Sequence, residues 1–194
     1  MTDRPTALVI IDVQNAILRG LGGTRPQETE RALDAVVGRI AGLLARARAT
    51  ALTVIHVKHD GGPGHRLAPD GEGWRIRAEL APRDGEMVVR KRACDAFFET
   101  ALADRLAAHG IRPGGHDAGR LIVAGCMTQY CIDTSCRRAV SLGYDVTLAA
   151  DGHATADSGG LRFEQIIAHH NALLDGLDAG AHAITVTPIP EIRL

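Results

Sequence analysis

Aromatic residues make up only 3% of this 194-residue chain, so its core has to be built from Ala, Val, Leu and Ile. Cysteine is scarce as well. Cys94, Cys126, Cys131 and Cys136 are the only four, too few and too clustered for a disulfide framework. The last three are spaced by five residues, which provides no C-x-x-C pair for a structural zinc. Neither charge is in surplus. With 22 basic and 23 acidic residues the net charge is -1, and nothing argues for a nucleic-acid or membrane partner. No apolar run approaches the ~18 residues of a membrane span, and no basic-then-apolar leader is visible. The expectation is a cytoplasmic protein with reduced thiols, folded as one domain over residues 1–194.

What the chain does have is alternation. ALVIIDVQN is an unbroken apolar run from residue 7 that stops at Asp12, as in a strand covered on both faces. After a glycine-rich stretch at 20–23, Pro26 opens a long helix, with Leu33, Val36, Val37, Ile40, Leu43 and Leu44 at three- and four-residue intervals. Strands are expected at 51–57, at 86–90 with Lys91 at its end, at 119–125, at 145–150 and at 182–187, and helices at 96–109, 130–142 and 161–177. Residues 59–73, HDGGPGHRLAPDGEG, form a loop long enough to be functional. This order predicts a three-layer α/β/α fold with a parallel sheet, whose ligand site lies beyond the carboxyl ends of the strands.

The stretch GRLIVAGCMTQYCIDTSCRRAVSLGY, residues 119–144, organises the rest. It places Cys131 at a strand-to-helix turn, where free N–H groups and the helix dipole favour a thiolate and can hold the oxyanion formed when a thiol attacks a carbonyl. Without that position, Cys131 reads as a small buried hydrophobe. Asp12 and Lys91 end two other strands. An acid, a base and a nucleophile on three strand ends is the arrangement expected of covalent catalysis.

The segments ALVIIDVQN, VVRKRACDAFFET and LIVAGCMTQYCIDTSCRRAVSLGYDVTLAAD resemble, in order and over nearly the whole chain, the three signatures of the isochorismatase-like cysteine hydrolases. The resemblance implies a six-stranded parallel sheet of order 3-2-1-4-5-6 and a catalytic triad of Asp12, Lys91 and Cys131. It further implies a cis peptide between Cys126 and Met127, with the N–H groups of Met127 and Cys131 as the oxyanion hole. The expected chemistry is hydrolysis of an amide, lactam or ureide of a small molecule through a thioester. Asp12, ionised beside Lys91, would shuttle the proton, and the ammonium would help to hold the thiolate. Lys91 lies two strands from Asp12, about 10 Å by strand spacing, a gap its side chain has to bridge. A homodimer or homotetramer without cofactor is implied, in the metal-free amidohydrolase branch with streptothricin hydrolase-like members. A nicotinamidase-type amidase is the alternative within the family. A non-catalytic binding protein and a thiol-redox protein, with Cys131 pairing to Cys126 or Cys136, are the alternatives outside it.

Substrate contacts are expected from Gln129 and Tyr130, which precede the thiol, and from Gln14 and Trp74. Gln14 reads equally as a structural hydrogen-bonder. His56, His59 and His65 flank the long loop, where nicotinamidases bind a divalent metal, but HVKHDGGPGHR has no evident Asp-x-His arrangement. No metal is expected there, and the three read as solvent-exposed or loop-ordering. Whether His153, beyond the fifth strand, reaches substrate is left open. Cys126 and Cys136 read as packing residues.

Overall fold

A computed structural model describes residues 4–21 and 23–194, so Gly22 of the glycine-rich stretch lies outside the described residues. Strand β1 (Thr6–Ile11) is buried at every position. Ala7, Val9 and Ile11 pack into one apolar cluster and Leu8 and Ile10 into the other, which is why the run is unbroken rather than alternating. Helix α1 (Pro26–Ala49) starts on its proline and buries the predicted stripe from Leu33 to Leu44. Next come β2 (Thr53–His59), β3 (Met87–Lys91), α2 (Leu102–Ala108), β4 (Arg120–Cys126), α3 (Asp133–Leu142), β5 (Asp145–Ala154), α4 (Phe163–Leu174), β6 (Asp178–Ala179) and β7 (His182–Thr187).

The sheet order is β3-β2-β1-β4-β5-β7-β6. Its first six strands are parallel and follow the expected order, and the two-residue β6 pairs antiparallel on the edge. Helix α1 covers one face and α2 and α3 the other.

Two expectations need correction. The helix predicted at 96–109 begins only at Leu102. Before it the chain is held in turns by side chains: Asp95 accepts from the Phe97 N–H, Ser135 accepts from the Ala96 N–H, and Glu99 sits at φ 52°. Its apolar residues have helical spacing, but the left-handed Glu99 breaks the helix they would form. The fifth strand, expected to stop at 150, runs on to Ala154 through a register shift against β4.

Gly125 brings the functional strand ends together. It lies opposite Ile11 at φ 131°, and a Cβ there would sit 2.0 Å from the Ile11 carbonyl oxygen. Only glycine allows β4 to run this close to the end of β1, one residue before Asp12 and one before Cys126.

Candidate active site

Three strand ends meet at one ammonium. Lys91 Nζ lies 2.6 Å from Asp12 Oδ2, donates to Cys131 Sγ at 3.1 Å and donates to the Ala93 carbonyl at 3.0 Å. The cation is thus paired with one carboxylate and donates to one sulfur and one carbonyl. The lysine bridges the end of β2, where His59 is its register partner, and so closes the two-strand gap. Asp12 is reached because its backbone turns left-handed, at φ 54°. Strict alternation would send it after Leu8 and Ile10 towards α1. All three side chains are buried, Cys131 being 9% exposed.

Burial and charge then set the protons. Burial works against the Lys91 charge, but Asp12 and Cys131 more than offset it and hold the ammonium above the ordinary lysine range. Burial raises Asp12, with Lys91 pulling the other way. Cys131 is raised as well, by burial first and by the negative charge of Asp12 second, with Lys91 opposing. One cation cannot sustain two anions in this volume. Burial and Asp12 thus favour a protonated thiol, in opposition to Lys91 and to the thiolate expected from the helix start.

That start is also different. Thr128–Ile132 is a single π-helical turn, and α3 begins only at Asp133. The Cys126–Met127 peptide before it is cis. Tyr130 and Ile132 both donate their N–H to the Met127 carbonyl, at 3.1 and 3.2 Å, and the Cys131 N–H between them is not spent on it. Wide turns of this kind occur at functional sites.

The four predicted contact residues divide. Gln129, two residues before the thiol in the same turn, keeps both amide atoms buried with no protein partner, a donor and an acceptor in reserve. Tyr130 is 45% exposed. Gln14 is not available. Its Nε2 donates to the carbonyls of His59 and Trp74 at 3.0 and 2.9 Å, and its Oε1 accepts from the His59 N–H at 2.9 Å, so it clamps the long loop. Trp74 is held by its neighbours. Its ring stacks under Lys58 Nζ, 3.0 Å from the centroid, and its N–H donates to Asp60. Lys58 alternates with His59, and its register partner Arg90 alternates with Lys91, so both point away from the thiol. Gln14→Ala is expected to cost about 3 kcal/mol, because three buried backbone groups lose partners. Urea unfolding with limited proteolysis in 60–74 reads this; wild-type stability and resistance contradict it.

The histidines depart from the solvent-exposed reading. His56 is buried against Glu86, its Nε2 3.1 Å from Oε2, and belongs to the packing of α1. His59 follows Ile55 and Val57 onto the face of the thiol, its Nδ1 buried and without a partner. Burial and then Lys91 lower it to about 4. His65 orders the loop by accepting from the Leu67 N–H. Among the described residues no three His, Cys, Asp or Glu gather as a metal-ligand set. His153 spends both ring nitrogens inside the protein and is 1% exposed, so it does not reach substrate.

Burial lowers His153 from an ordinary 6.5 to about 4. Between those values the unfolded chain binds a proton that the folded chain refuses, so His153 makes stability rise with pH through that window. Removing it by His153→Gln is expected to reduce the slope of unfolding free energy against pH, between about 4.5 and 6, by up to one proton. An unchanged slope contradicts the assignment.

The opening nearest the hub is a cavity of about 530 Å³ that reaches Lys91 and Ala93 and is bounded by Asp60, Arg90, Arg92, Phe98 and Glu99, with Trp74 behind Asp60 and Arg90. A larger hollow of about 700 Å³, near Gly115 and His182, lies at the amino ends of the strands, away from Cys131.

Residues 6–187 match the isochorismatase domain family. The chain is 38% identical over 151 residues to a streptothricin hydrolase of Streptomyces noursei, covering 78% of this chain and 50% of that protein, so it spans about half the length of that relative. It is 34% identical over 125 residues to a maleamate amidohydrolase of Pseudomonas putida, covering 57% and 55%. A crystal structure of an isochorismatase from Pseudomonas putida superposes with a TM-score of 0.81 at 31% identity, covering 97% of this chain and 90% of that one. The order of the parallel strands and the family match agree, and the chain belongs to the isochorismatase family.

Proposed function

We propose that this chain is a cysteine hydrolase that cleaves a C–N bond of a small amide through a thioester on Cys131. The observation that carries the reading is the buried ammonium of Lys91 shared by Asp12, Cys131 and the Ala93 carbonyl. Asp12 accepts the thiol proton as Sγ attacks the carbonyl carbon, and Lys91 offsets the charge that moves between them. The oxyanion is received by the N–H groups of Met127 and Cys131. Its collapse breaks the C–N bond while protonated Asp12 gives its proton to the leaving nitrogen. Asp12, ionised again, then activates the water that opens the thioester and frees the acid.

Gln129, with both amide atoms unspent, is the contact for the polar edge of the substrate. The names of the streptothricin hydrolase and maleamate amidohydrolase relatives support hydrolysis of non-peptide C–N bonds. A thiol-redox role is disfavoured because Cys126 and Cys136 are fully buried and burial pushes both thiols up.

The test is ammonia or amine release from a panel of small amides, ureides and cyclic amides, with wild type and Cys131→Ala. Turnover by wild type that vanishes in the variant supports the reading. Turnover that survives in the variant overturns it.

A further inference from the structure

A buried polar chain runs from the nucleophile turn into α4, and the proposed chemistry makes no use of it. Thr128, the residue after the cis bond's Met127, is fully buried. Its Oγ1 lies 2.9 Å from His153 Nδ1, and His153 Nε2 lies 2.8 Å from Asn171 Oδ1. Asn171 Nδ2 donates to the Ala150 carbonyl at 2.9 Å. The proton positions follow from the far end. The Ala150 carbonyl can only accept, so the amide nitrogen of Asn171 faces it and Oδ1 faces His153. Nε2 must then carry the imidazole proton, which leaves Nδ1 as acceptor and the Thr128 hydroxyl as donor. Burial keeps the ring neutral, and the tautomer is set by Asn171.

The ring is also placed to transmit this order. Gly125 pairs with His153 and Cys126 with Ala154 in the β4–β5 register, so His153 stands beside the end of β4 from which the turn departs. We infer that His153, oriented by Asn171, is a positioning residue: by accepting the Thr128 hydroxyl it fixes the turn whose Met127 and Cys131 N–H groups receive the oxyanion, without touching substrate. The inference rests on the acyl-transfer reading of the site.

A packing role and a positioning role separate by substitution. His153→Asn puts a carboxamide oxygen near the place of Nδ1, so it keeps an acceptor for Thr128 and abandons Asn171. His153→Gln reaches Asn171 and abandons Thr128. Each breaks one buried hydrogen bond, so their losses of stability are similar.

Wild type and both variants are treated with two reagents at Cys131. p-Nitrophenyl acetate acetylates it: the S–C bond forms through a tetrahedral oxyanion, the C–O bond breaks, p-nitrophenolate leaves and the thiol proton passes to Asp12. Iodoacetamide alkylates it by displacing iodide, with no oxyanion. His153→Gln is expected to acetylate about tenfold or more slowly while its alkylation stays within about twofold. His153→Asn keeps both rates within about threefold of wild type. Equal slowing of both reactions, or the same selective slowing in both variants, overturns the inference. Should the His153 variants fail to fold, Thr128→Val takes the place of His153→Gln and Thr128→Ser that of His153→Asn, and acetylation of Thr128→Val at the wild-type rate overturns it. A wild type that is alkylated but never acetylated overturns the acyl-transfer reading, and the inference falls with it. A wild type that acetylates while His153→Gln matches it overturns the inference alone.

Discussion

Cys131→Ser is expected to fold as the wild type does and to hydrolyse amides roughly a thousandfold more slowly, or worse. The replacement is nearly isosteric at a buried position and still offers Lys91 an oxygen acceptor, so no cavity or lost charge disturbs the core. What changes is the acidity of the nucleophile. A thiol already raised by burial and by Asp12 lies within reach of that carboxylate once substrate displaces water and Lys91 offsets the transferred charge. A hydroxyl at the same place lies several pH units further away. Thermal unfolding and single-turnover hydrolysis measured together read the two halves, and a serine variant with near-wild-type turnover contradicts them.

Asp12→Asn is expected to move two readouts in opposite directions. Hydrolysis falls about a hundredfold or more, since the group that takes up and returns the proton is gone. Alkylation of Cys131 near neutral pH becomes faster. The carboxylate raises the thiol, and with it removed the buried Lys91 ammonium has only Cys131 left as a counter-ion. The thiolate then partly replaces the missing charge, so the loss of stability stays below the ~3–5 kcal/mol of a buried ion left unpaired. If alkylation slows together with hydrolysis, Asp12 ionises the resting thiol, and Cys131 does not keep its proton at rest.

The sheet was legible because its central strands β1 and β4 are buried on both faces, and apolar runs that stop on Asp12, on Lys91 and before Cys131 mark the carboxyl ends in the sequence. The residue types of Asp12, Lys91 and Cys131 marked them as candidates, and the fold brings the three side chains together. The opposing pull on the Cys131 proton was not legible, since dipole and lysine argue for a thiolate and only the fold shows the burial and the nearness of Asp12 that raise the thiol. Gln14 and Trp74 were misread for a related reason. Their positions in the chain are correct for a pocket wall, but one spends its amide on the loop backbone and the other is held by Lys58 and Asp60, partners that residue type alone does not reveal. The link from Thr128 to His153 and Asn171 joins residues 25 and 18 apart that share no local pattern. The one signal that could have marked Gly125 is its place at a strand end before a cysteine, where a side chain would strike β1.

Acyl transfer through the sulfur of Cys131 is the step on which the proposed chemistry depends. It is tested most directly by quenching in acid, within the first turnover, the reaction of wild type with the best amide of the panel, and by taking intact and peptide masses. The expected result is an adduct equal to the acyl part of the substrate, on the peptide that holds Cys131, forming before the acid product and absent from Cys131→Ala. Full product formation in that first turnover without any adduct, together with turnover by Cys131→Ala, would contradict it.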